Sequence, residues 1–148
     1  MKPVRTVLLL ANDREARLLE NDGVGKGLHQ LSHLTAEGLA GLEPAYTSGP
    51  GRSQAAPGVA RHGMEDATSS EELNRGRFAA ALADEVARVI GKGGQDRLMV
   101  SAPAKMLGAL RAALAKQSGV AITHDMDKDL VHVATNDLPR HFEDVAAF

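Results

Sequence analysis

Positions 4–11 read VRTVLLLA, a short and almost continuously apolar run rich in Val and Leu. Such a run has no polar side to offer water, so it suits a strand buried on both faces, and therefore one at the centre of a sheet. That placement constrains the rest of the chain: strands must flank it and covering layers must lie above and below. The segments REARLLEND, GVGKG and LHQLSHLT that follow read as two short strands around a glycine-rich turn, a hairpin.

From Glu37 to Ser70 periodicity disappears into a stretch dense in Gly, Pro, Ala and Ser. A loop of this length inside a small domain is unusual and points to function or mobility. The clearest helix follows, with Ser69 or Ser70 as its cap and Glu71 and Glu72 near its positive end. Its apolar stripe is Phe78, Leu82, Val86, Val89 and Ile90, and Gly91 and Gly93-Gly94 end it. DRLMVSA is a second apolar strand. AKMLGALRAALAKQSG is a second helix with Leu107, Leu110 and Leu114 on one stripe and Gly119 at its end, and VAITHDMD reads as another strand. Asn136 or Asp137 can cap a terminal helix on which Leu138, Phe142 and Val145 recur at helical spacing.

The order of elements predicts an α/β fold: an antiparallel meander, then crossovers, giving a mixed five-stranded sheet in the order 3-2-1-4-5 with helices on its faces, the ribonuclease H-like arrangement. With 148 residues, 43% of them hydrophobic, the chain suits one core and hence a single domain over residues 1–148, with a long mobile loop at 37–70. The net charge of −2 argues against coating nucleic acid electrostatically, so any RNA contact must be local. No cysteine is present, which excludes disulfides and thiolate metal sites. The apolar run at Val7–Ala11 is too short for a signal segment or a membrane span, so a cytoplasmic location without membrane contact is expected.

Several apparent motifs dissolve on inspection. Gly93-Gly94-Gln95 spells the peptide-release tripeptide, but it falls where a helix must stop and turn into a strand, a place that calls for glycine on structural grounds alone. ENDGVGKG has Glu20 and Gly27 where a phosphate loop needs Gly and Ser or Thr. Asp125, Asp127 and Asp129 alternate and would share one side of a strand, but as a solvated strand end with Lys128 as partner they need no metal. A nuclease of this fold would take Asp13 from the first strand and Glu85 from the first helix, and the fourth strand supplies no third carboxylate. His29 and His33 have ligand spacing for a helix but lie in an expected strand, and the six histidines form no tight ligand pair. There is no G-x-S-x-G elbow.

What stands out is a concentration of cations in and after the loop: Arg52, Arg61, His62, Arg75 and Arg77, with glycines at 49, 51, 58, 63 and 76 that allow close backbone approach. Arginines at this density can fork onto phosphates. The alternative is that they pair with Glu65, Asp66, Glu71 and Glu72.

Taken together, the loop, EELNRGRFAAALADEV, DRLMVSAPAKMLGALRAAL and DMDKDL resemble the bacterial host attachment protein family, described also as relatives of the middle domain of archaeal and eukaryotic peptide-chain release factors. The resemblance runs from LLLANDREARLLE to the end. Its most specific pieces are Arg77-Phe78-Ala79, the run from Asp96 to Arg111 with Ala102-Pro103 and Leu107-Gly108, and Lys128-Asp129-Leu130; Asp13 and Pro103 are further family-motif positions. In release factors the catalytic tripeptide lies in the loop before a helix that begins with an Arg-Phe pair. Here that loop reads PGVARHGMED and carries no Gly-Gly-Gln. The resemblance and the loop charge together imply a non-enzymatic protein without cofactor, whose Arg/Gly loop docks on an RNA-containing partner such as the ribosome or a tRNA. The rival expectations are a hydrolase on RNA or an ester using Asp13 or His62 as acid or base, and a protein-interaction module for attachment to host cells.

Overall fold

The computed structural model describes residues 5–23, 25–38, 63–90, 97–117, 119–145 and 148. Its sheet contains β1 (Thr6–Ala11), β2 (Glu15–Asn21), β3 (His29–Thr35), β4 (Arg97–Ser101) and β5 (Ile122–Met126), in the order β3-β2-β1-β4-β5. The helices are α1 (Gly63–Ile90), α2 (Ala104–Ala115) and the short α3 (Leu138–His141), which a 3-10 turn at Thr135–Asp137 precedes. β1 is antiparallel to β2 and parallel to β4; β4 is parallel to β5. The expected mixed sheet and strand order are thus present.

All six residues of β1 are buried, and they divide by the strand's period of two. Val7, Leu9 and Ala11 join a core with Leu98 and Val100 of β4, Phe78, Leu82 and Val86 of α1, and Leu110 and Leu114 of α2. Leu8 and Leu10 face the other way, onto Leu130, Val131, Leu138 and Phe142 of the C-terminal segment. Phe148 closes that layer edge-on to Phe142, with ring centroids 5.8 Å apart. The expected hairpin is β2 and β3, with a bulge at Leu18/Leu19 and with Gly25 and Gly27 at positive φ in the turn.

Three boundaries differ from expectation. α1 begins at Gly63, so the last eight positions of the expected loop are helical. Serine inside a helix costs only a few tenths of a kcal/mol (~0.5) relative to alanine, so the pair Ser69-Ser70 was no firm start signal. The terminal helix is much shorter than its periodicity implied: the chain turns after His141, Asp137 makes no side-chain cap, and Val145 is 40% exposed although Leu138 and Phe142 are buried. β5 ends at Met126, so Asp127 and Asp129 lie beyond the strand and the three aspartates share no strand face. Among the described residues no helix is long and apolar enough to cross a membrane.

Candidate functional site

β1 and β4 run parallel side by side, yet β1 continues into β2 on one side while β4 crosses through α2 to β5 on the other. The connections therefore diverge at the carboxyl ends of these two strands, and that divergence opens a crevice, the usual ligand position in open α/β sheets. A cleft of about 440 Å³ lies there.

One wall is the β1–β2 turn. Asn12 shapes it: its Oδ1 accepts the backbone N–H groups of Arg14 and Glu15, both at 2.9 Å, an arrangement that suits asparagine's habit of standing in for backbone in tight turns. The Asn12 Nδ2 donates to Asp129 Oδ2 at 3.2 Å and so ties this turn to the loop after β5. Asp129 Oδ1 accepts the amide of Val131, and Ser101 Oγ donates to the Lys128 carbonyl at 2.6 Å. Ser101 is fully buried, and this bond fastens the 128–131 loop to the end of β4.

The opposite wall is the start of α2. Pro103 occupies its N-cap position, no side chain caps it, and Ala104, Lys105 and Met106 line the cleft with Pro103. Arg75 reaches in from α1. Its Nε and Nη2 donate to the two carboxylate oxygens of Asp13 at 3.1 and 3.0 Å. The Asp13 hydrogen bond is the main reason the guanidinium holds its proton more firmly than usual; burial works against it, and the fields of Asp13, Glu71 and Glu72 add to it. Arg14 and Lys105 complete the lining cations, and neither has an ion-pair partner among the described residues.

Of the two expected binding residues that the structure describes, Arg75 lies at the cleft and Arg77 does not. Arg77 is exposed and lies about 200° around α1 from Arg75, so it looks elsewhere. Arg52, Arg61 and His62 lie outside the described residues, as do residues 93–95. The alternative, that the arginines pair with Glu65, Asp66, Glu71 and Glu72, names no particular partner for Arg75, whose bond is to Asp13, 62 positions earlier in the chain. Of the other family-motif positions, Asp13, Pro103 and Asp129 line the cleft, and Lys128 contributes its carbonyl. Sequence reasoning passed over Asn12, Arg14 and Lys105; only the Asn-Asp pair between two apolar runs carried a signal, that of a turn.

Among the described residues, the carboxylates considered for hydrolysis or metal binding are engaged with arginines. Both Asp13 oxygens are taken by Arg75, and Glu85 lies about 15 Å further along α1, where it pairs with Arg88. Asp125 pairs with Arg111 at 2.8 and 2.9 Å rather than with Lys128, and this hydrogen bond holds its carboxyl below the usual range. His33 approaches Glu15 Oε1 at 3.4 Å and stands on the exposed side of β3. Among the described residues no three His, Asp or Glu side chains are placed to hold a metal ion.

A comparison with curated proteins returned no match. The model of the family described as "Protein required for attachment to host cells" matches residues 7–142, which takes in every strand and helix above except the first residue of β1. The chain belongs to this host attachment family.

Proposed function

We propose that this chain is a non-enzymatic member of the host attachment family that docks on an RNA-containing partner, the ribosome or a tRNA, through the cleft at the carboxyl ends of β1 and β4 together with its Arg/Gly loop. The observation that carries the reading is the meeting of Arg14, Arg75 and Lys105 at one crevice. These three come from three separate elements of a chain whose net charge is −2, so the cationic surface is local. Asp13 and Asp129 line the same cleft, which leaves one cation in excess, and a small crevice of this kind beside a helix start suits a sugar–phosphate backbone, where positioning contacts are made to phosphate oxygens. Release-factor-like peptide hydrolysis is not part of the proposal, since the sequence ahead of α1 carries no Gly-Gly-Gln.

Sedimentation of the tagged protein in cell lysate, at low and at moderate salt, tests this reading. Wild type is expected to co-migrate with ribosomal particles or tRNA in a salt-sensitive manner, because each phosphate contact releases counterions. An Arg14→Glu/Lys105→Glu variant is expected to lose the association, and an Arg52/Arg61/Arg77→Ala variant reports the share carried by the loop. Migration as free protein at every salt concentration would sink the proposal.

A further inference from the structure

Arg75 is the strongest phosphate-binding group on the cleft, and it is already occupied. A guanidinium grips two carboxylate oxygens with the same planar fork that it uses for two phosphate oxygens. The partners in this pair are unequally buried: the Arg75 side chain is 11% exposed and that of Asp13 is 51% exposed. The arginine is thus held in place by its surroundings, whereas the aspartate, at the tip of a turn, has water to move into. Arg14 and Lys105 stand on the same cleft, and about 440 Å³ is more room than one phosphate group needs.

We propose that the cleft is a phosphate site in which Asp13 is the resident anion: an incoming phosphate takes the Arg75 fork, Arg14 and Lys105 complete the balance of charge, and Asp13 turns out to solvent. The proposal rests on the RNA-docking reading and deepens it, naming the phosphate as the recognised group and Arg75 as its principal donor. No covalent bond changes; one oxyanion replaces another. Asp129, the other carboxylate on the cleft, stays tied to Asn12 Nδ2 and to the amide of Val131, which offset its charge. Competition from Asp13 weakens the hold on a single phosphate, so the site favours ligands that bring several.

Calorimetric titration with inorganic pyrophosphate, and separately with a mixed-sequence RNA 20-mer, tests the exchange. Asp13→Asn is expected to tighten pyrophosphate binding about 3–10-fold, the order of one charge-assisted pair removed from competition. Arg75→Lys, which keeps the charge and loses the fork, is expected to erase that gain. Should Arg75→Lys fail to fold, the side-chain Nε–H resonance of Arg75 in the Asp13→Asn protein decides instead, since pyrophosphate must shift it. Equal affinity in wild type and Asp13→Asn, a gain that survives Arg75→Lys, or an unmoved Arg75 resonance would overturn the exchange. If the 20-mer binds while Asp13→Asn brings no gain, the exchange fails and docking stands. If the gain appears for pyrophosphate while lysate sedimentation shows free protein, docking fails and the phosphate site stands.

Discussion

Arg17 and Arg75 are both largely buried arginines, and the regions that they organise differ in what accepts their hydrogen bonds. Arg17, in the middle of β2, donates to the carbonyls of Val131 and Val133 at 2.9 and 2.6 Å, to Thr135 Oγ1 at 2.7 Å and to Gln30 Oε1 at 2.8 Å. Every acceptor is neutral. Desolvation therefore outweighs the field of Glu15, and the guanidinium holds its proton less firmly than usual, although an arginine stays charged at any working pH. Among the described residues Arg75 has one partner, a half-exposed carboxylate. Backbone carbonyls cannot leave, so Arg17 bolts the C-terminal segment to the sheet; a surface carboxylate can leave, so Arg75 can change anions.

The comparison breaks most sharply at Arg17. Replacing it by Met leaves the buried carbonyls around it without donors, and the expected cost is roughly 2–4 kcal/mol in urea unfolding. A cost below about 0.5 kcal/mol would mean that the C-terminal segment does not depend on this bolt. Asp13→Asn is expected to cost less than about 1 kcal/mol, because the carboxylate is half exposed and screened by solvent. A loss as large as that of Arg17→Met would assign Asp13 a structural part instead. The smallest effect belongs to the exposed pair Asp125–Arg111. The folded Asp125 carboxyl lies below its unfolded value of 3.8, so its contribution is present above that pH and fades as the pH falls through the folded value. Acid unfolding of Asp125→Asn should lack this part of the slope, and identical acid limbs in the two proteins would show that the pair does not form in solution.

The sheet was legible because its evidence is local: VLLLA demands burial on both faces, and its neighbours supply strands and amphipathic helices in an order that few topologies satisfy. The site was legible only as an excess of arginine after a loop. Asp13 and Arg75 meet across 62 positions, and Arg17 finds its carbonyls across 114 and 116, so no spacing in the sequence announces either. Arg17 reads simply as a polar position in a short strand. Arg14 and Lys105 become neighbours because β1 and β4 are adjacent and parallel, a consequence of topology rather than of any motif. The terminal segment misled for the opposite reason: Leu138 and Phe142 do bury themselves at helical spacing, but α3 ends at His141 and leaves Val145 exposed.

Backbone amide mapping of the isotope-labelled protein titrated with the RNA 20-mer at low salt tests the central claim most directly, because it locates the docking surface without a mutation. The account predicts that the largest shifts fall on Asn12–Arg14, on Ala104–Met106 and around Arg75, and that they fade together as salt is raised. Shifts confined to β3 or to the C-terminal segment, with the cleft unmoved at saturating RNA, would contradict it.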